Sequence, residues 1–191
     1  MPQTRGDLWL IRHGETEWTL SGAHTGRTNL PLTENGKRQA LAVRDELAGR
    51  AFALVLVSPL DRARETCRLA GYADHAIVDP NLAEWWYGSY EGRTSAQIQV
   101  ERPGWTIWDD GPLGGETIDE VAARADSVIA RALAGDGDVA LFAHGHLLRI
   151  LTARWLEMPP IAARRFALET GSISVLSYER DTRVIERWNL R

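Results

Sequence analysis

Apolar positions follow two rhythms along the chain. Short unbroken runs at residues 8–11, 52–57 and 138–142 read as strands buried on both faces, and Ala76–Val78 as a weaker one. Longer stretches carry apolar residues at helical spacing. One runs from Thr33, a suitable N-cap, to about residue 48, where Gly49 stops it. Others cover residues 60–69, stopped near Gly71, then 95–100, then Thr117 to about residue 133, and 146–156. Residues 21–32, rich in Gly, Thr, Asn and Pro, read as loop, and residues 103–115 as an irregular stretch holding two tryptophans. Residues 172–178 and 183–188 predict a closing strand pair around a turn at Arg180 and Asp181. Strands and helices alternate, which predicts an α/β fold: a three-layer α/β/α sandwich with a mostly parallel central sheet. No repeat, low-complexity segment or linker divides the chain, so residues 1–191 are expected to form a single domain.

The strand ends depart from the apolar pattern. The first predicted strand ends in Arg12-His13-Gly14, the second in Ser58-Pro59-Leu60-Asp61-Arg62, and the fourth in Ala143-His144-Gly145-His146. The third leads into Asn81-Leu82-Ala83-Glu84. Ligands of open α/β sheets bind outside the carboxyl ends of the strands. Parallel strands would therefore gather two arginines, two histidines and a glutamate at one edge.

Composition narrows the partners. The formal charge of −4 gives no global attraction to nucleic acid or anionic membrane, so an anionic ligand must be held by local cations. The single cysteine, Cys67, excludes an internal disulfide and reads as a buried, inert thiol. The N-terminal apolar run is too short for a signal peptide and no stretch reaches membrane-spanning length, so a cytoplasmic location is expected. The C-terminal strand pair offers an edge for a homodimer without requiring one.

The gathered residues suit phosphoryl chemistry. Arginine forks match phosphoryl oxygens, a histidine can act as covalent nucleophile, and a carboxyl group can protonate a leaving oxygen. Gly14 and Gly145 would let backbone or ligand approach the histidines closely. LIRHGETEW, SGAHTGRTNLPLTENG, SPLDRARET, LAEWWYGSYEG, GGET and FAHGHLLR together resemble, in order and spacing, the motifs of the histidine phosphatase superfamily, the phosphoglycerate-mutase-like proteins. That resemblance implies His13 as the nucleophile that becomes phosphohistidine and Arg12 and Arg62 as binders of the phosphoryl oxygens. It implies His144 opposite the nucleophile, stabilising developing charge, and Glu84 as general acid and then base. Thr25 and Gly26 would lie in the loop near the substrate. It implies no metal and no cofactor. Thr19 stands where many mutases of the family carry asparagine.

The resemblance leaves hydrolysis and mutase action open. Residues 85–115 offer Arg93 and Arg102 but are more acidic than basic, which favours a phosphatase acting on small phosphorylated metabolites, similar to small bacterial and fungal acid or sugar-bisphosphate phosphatases. A non-catalytic phosphate-binding module is the non-enzyme alternative, and the full set His13, Glu84 and His144 argues against it. Other residues carry plainer expectations. Glu91 reads as structural, and Glu116 as a helix start or an orienting group. Arg64 reads as an ion-pair partner of the helix, Arg68 as a solvated face and His75 as ordinary surface. His144 and His146 form an H-x-H pair, but with His146 opening a helix they do not predict a metal site. His24 reads as facing solvent or substrate. The tryptophans either line a pocket, with Trp85 and Trp108 the better candidates, or cover the core edge.

Overall fold

The computed structural model describes residues 6–191. Its centre is a six-stranded sheet of β1 (Leu8–Arg12), β2 (Leu54–Val57), β3 (Ala76–Val78), β4 (Val139–Ala143), β5 (Ile173–Glu179) and β6 (Thr182–Leu190), in the order β3-β2-β4-β1-β5-β6. The four strands from β3 to β1 are parallel neighbours, whereas β5 runs antiparallel to β1, and β6 antiparallel to β5. The sheet is therefore mostly parallel, as expected.

Alternate side chains of the inner strands feed two cores. Trp9, Ile11, Val55, Val57, Ala140 and Phe142 face α2 (Glu34–Leu47) and α3 (Asp61–Leu69), meeting Val43, Leu47, Ala63 and Cys67. Leu8, Leu10, Leu56, Val139 and Leu141 face the other way, onto α5 (Ile118–Ala132) and α6 (Gly145–Trp155). Burial on both faces is why these strands read as continuous apolar runs. Each fully buried Leu or Ile stabilises the fold by roughly 1.5–3 kcal/mol relative to exposure.

The boundaries follow local chemistry. Thr33 caps α2 by accepting from Gly36 N at 3.0 Å. β2 starts at Leu54 rather than residue 52, because Leu54 pairs with Val139 and no strand residue lies opposite Phe52; Phe52 packs instead on Trp9 and Tyr72. Asp138 stays outside β4, where its carboxylate accepts from Asp7 N and pairs with Arg50. One helix was not expected: α1 (Glu17–Ser21), a single turn closed by a capping box between Thr16 and Thr19 and ended by Gly22 at φ 74°. A further short helix, α4 (Ser95–Glu101), precedes the irregular stretch that holds Trp105 and Trp108. Among the described residues no helix is long and apolar enough to cross a membrane.

Candidate active site

The carboxyl ends of β1, β2 and β4 lie side by side, and the segment after β3 joins them through the 3₁₀ turn Pro80–Leu82. This brings Arg12, His13, Arg62, Glu84 and His144 together. The β1 tip is rigidly held: His13 N donates to Ala143 O at 3.0 Å, Gly171 N to His13 O at 3.0 Å, and Gly14 N to Thr66 Oγ1 at 3.0 Å.

The hydrogen bonds of His13 fix its tautomer. Nδ1 lies 2.7 Å from the Gly14 carbonyl, which can only accept, so Nδ1 carries the proton. Nε2 is left with its lone pair and accepts from Arg62 Nε at 3.3 Å. Burial, then Arg62 and Arg12, push the His13 pKa well below the usual imidazole value. The ring of His144 lies 5.1 Å away, centre to centre. Its Nε2 is 2.6 Å from Ser58 Oγ, and Oγ already accepts from Leu60 N. A hydroxyl donates one hydrogen bond and accepts two, so this contact suits either neutral tautomer of His144. His144 Nδ1 and Arg12 Nε are buried nitrogens with no hydrogen-bond partner among the described residues. Arg12 Nε is a donor in every state of the site, and in the tautomer with its proton on Nδ1 His144 would add a second, the arrangement that receives an oxyanion.

The two arginines differ in how they are held. Arg12 Nη1 donates to Leu168 O, and burial lowers the Arg12 pKa. Arg62 is fully buried and its fork is turned onto a loop: Nη2 donates to Thr25 O and Gly26 O, and Nη1 to Thr28 O at 3.0 Å. The loop is fixed in turn by Glu91, which accepts from Arg27 N at 2.8 Å and from Thr28 N at 3.0 Å. Glu91 is thus structural, as expected. Gly26 is needed for this packing, since a Cβ there would lie 2.3 Å from Glu91 Oε1. Thr25 lines the cavity while Gly26 stands behind it.

Glu84 is nearly buried, and its carboxylate accepts from Trp85 N at 2.9 Å, Leu147 N at 2.9 Å and His146 N at 3.0 Å. The last two are first-turn amides of α6, so the helix start orients the carboxylate. His144 and His146 diverge. His146 Nδ1 meets Tyr87 Oη at 2.6 Å, and among the described residues no group of three or more His, Cys, Asp or Glu is arranged for a metal ion.

Arg12, His13 and Glu84 open on a cavity of about 200 Å³ lined also by Thr25, Tyr87 and Arg149, whereas Arg62 and His144 are fully buried and do not line it. Thr19 and His24 line it too. His24 is tucked against Tyr87 and Trp105 rather than facing solvent alone. Thr19 is occupied, with its hydroxyl donating to Thr16 O at 2.8 Å.

Several expectations need correction. Gly14 faces α2 rather than ligand: a Cβ there would come 2.3 Å from Gly36 O. At Gly145 a Cβ would crowd the Arg12 guanidinium at 3.3 Å. Trp85 is a core residue, stacked on Tyr87 and donating to Glu116 O, and does not line this cavity. Trp108 lies beside His146 with its ring tilted by 59° and 4.9 Å between ring centres, under Arg149. Glu116 pairs with Arg124 and accepts from Trp86 N. On α3 the ion pair is Arg68 with Glu65, and Arg64 is exposed. Tyr87, Arg149 and Trp18 were not singled out from sequence, because they reach the cavity only through tertiary packing.

Comparison with known proteins agrees with this geometry. The chain is 40% identical to an acid phosphatase of Mycobacterium tuberculosis over 92% of this chain and 88% of that protein. It is 35% identical to a sedoheptulose 1,7-bisphosphatase of Saccharomyces cerevisiae, over 83% and 70%. The solved structure of an open reading frame from M. tuberculosis superposes with a TM-score of 0.90 at 37% identity, covering 97% of each chain. The model of the histidine phosphatase superfamily (branch 1) matches residues 8–191, and the chain belongs to that family.

Proposed function

We propose that the protein is a phosphomonoesterase that hydrolyses small phosphorylated metabolites through a phosphohistidine on His13. The observation that supports this reading most is the 2.7 Å contact of His13 Nδ1 with the Gly14 carbonyl, which leaves Nε2 as the nitrogen with the lone pair, held in the resting site by a hydrogen bond from Arg62 Nε at 3.3 Å. In the first step that lone pair attacks phosphorus and the bond to the leaving oxygen breaks. Glu84 protonates the leaving oxygen. In the second step water attacks the phosphohistidine, Glu84 takes a proton from it, and the P–N electrons return to Nε2 as inorganic phosphate departs. Arg12 and His144, each with a buried nitrogen that lacks a partner, would hold the phosphoryl oxygens, with Arg62 adding positive charge at the attacking nitrogen itself.

Relatives of the chain carry mutase names as well as phosphatase names. Hydrolysis is favoured here because the basic residues of the 85–115 segment are already neutralised: Arg93 pairs with Glu101, and Arg102 with Asp110. The test is phosphate release from a panel of monoesters in EDTA, for the native protein and His13→Ala. Release that persists in EDTA and disappears in a folded His13→Ala protein is expected. Turnover surviving the substitution would refute the nucleophile, and interconversion of phosphoglycerates in the presence of their bisphosphate as the dominant reaction would refute the hydrolase.

A further inference from the structure

Arg149 is a cation of the cavity wall that feels the Glu84 carboxylate at longer range but has no carboxylate in ion-pair contact among the described residues. It lies one turn beyond His146 on α6, on the same side of the helix as the amide that holds Glu84. Its guanidinium sits 4.6 Å from the centre of the Trp108 ring. Nε donates to Ala163 O at 3.2 Å and Nη2 to Arg164 O at 3.3 Å. Stacking and two carbonyls thus fix the plane of the fork, while Nη1 makes no hydrogen bond among the described residues. Neighbouring arginines are neutralised instead, Arg124 by Glu116, Arg154 by Asp126 and Arg164 by Asp109. Leaving a half-buried cation without a carboxylate in ion-pair contact costs stability, which an anionic ligand offsets. The imidazoles beside it do not supply this charge, because burial lowers the pKa of both His24 and His146.

We propose that the substrate carries a second anionic group, phosphoryl or carboxylate, on its leaving-group side, and that Arg149 binds it through Nη1. This rests on the hydrolase reading, with the first phosphoryl group at His13 and the leaving oxygen toward Glu84. The carbon skeleton then lies between them, against Tyr87 and Trp18, in a cavity whose volume of about 200 Å³ suits a small metabolite.

The experiment is calorimetric titration of the His13→Ala protein, which holds ligands without turning them over. Two ligand pairs are used, a hexose bisphosphate against its monophosphate and a phosphoglycerate against glycerol phosphate. In at least one pair the ligand with the second anion should bind about tenfold to a hundredfold tighter, as one charged hydrogen-bonded contact gives. The pair with the larger ratio distinguishes phosphoryl from carboxylate. Adding Arg149→Met should abolish that ratio, and Arg149→Lys should restore part of it, because lysine keeps the charge without the fork. A merely structural role would weaken both members of a pair alike. An equal ratio with and without Arg149→Met overturns the assignment, as does the absence of any preference in the parent. Binding needs no turnover, so a native protein that hydrolyses no ester would refute the hydrolase reading separately.

Discussion

Glu84 concentrates the chemistry of the site into one side chain. Oε1 takes two backbone N–H bonds and Oε2 takes one, so Oε2 keeps the more open lone pair toward the cavity. Replacing it with glutamine puts an amide where one of these acceptors stood, facing a backbone donor with another donor. That mismatch costs about 1–3 kcal/mol of stability. The larger effect is expected in catalysis, where losing a positioned acid slows esters of poor leaving groups by roughly 10²–10⁴-fold. Aryl esters need less protonation and should slow much less. Comparing kcat/KM of Glu84→Gln on an alkyl and an aryl phosphate checks this, and equal losses on the two would remove Glu84 from the acid role. His13 and Arg62 show the same economy at atomic scale. One carbonyl selects the tautomer, and three loop carbonyls turn an arginine fork away from the phosphoryl position its sequence motif suggested.

At the scale of elements, the site depends on one loop as much as on the strands. Residues 25–28 hold Arg62, and Glu91 holds the loop through the amides of Arg27 and Thr28 and the Thr28 hydroxyl. Glu91→Ala removes these acceptors from a residue about 65 positions along the chain, outside the reacting groups. We expect turnover to fall at least tenfold because Arg62 loses its rigid frame, with a modest fall in melting temperature. A variant with native kcat and KM would show that the loop needs no such anchor. The strands were readable in sequence because burial on both faces gives unbroken apolar runs, and Thr33 and Thr117 mark helix starts by known cap chemistry, while α2 ends on Ala48 in a left-handed conformation, just before the Gly49 that the sequence offered as its stop. The clustering of Arg12, His13, Glu84 and His144 was readable because all four follow strands that prove parallel or lie just beyond them. Glu17–Ser21 escaped notice because one helical turn has no periodicity to detect. Arg149 escaped because, within LLRILTARW, an isolated arginine looks like the polar stripe of an amphipathic helix. Trp85 and Trp108 were indistinguishable in sequence, since both lie in aromatic stretches and only packing sends one into the core.

Across the whole molecule, assembling buried imidazoles beside arginines sets an acid limit on stability. Burial first, and neighbouring positive charge second, hold His13, His144 and His146 well below the ordinary imidazole pKa. In the unfolded chain each returns to about 6.5. Below that pH the unfolded state binds protons that the folded state refuses, so stability falls as pH falls. The contribution is fully present above the unfolded value and is lost on acidification, at up to about 1.4 kcal/mol per pH unit for each imidazole until its folded pKa is reached. Carboxylates with lowered pKa values, such as Glu15 and Glu65, add a further loss only at lower pH, below their ordinary range. The urea midpoint should therefore drop markedly between about pH 7.5 and 5.5, above the range in which the lowered carboxylates of Glu15 and Glu65 contribute. An unchanged midpoint over that interval would mean that the three imidazoles are not held neutral by the fold. Inorganic phosphate should raise the midpoint at each pH, because binding to the folded state alone adds about 2.7 kcal/mol at a hundredfold excess over Kd. The same desolvation that weakens the fold in acid keeps the His13 lone pair available there. Phosphoenzyme formation should accordingly lack an acidic limb at the ordinary imidazole value, and a rapid-quench rate that falls with an apparent pKa near 6.5 would break that link.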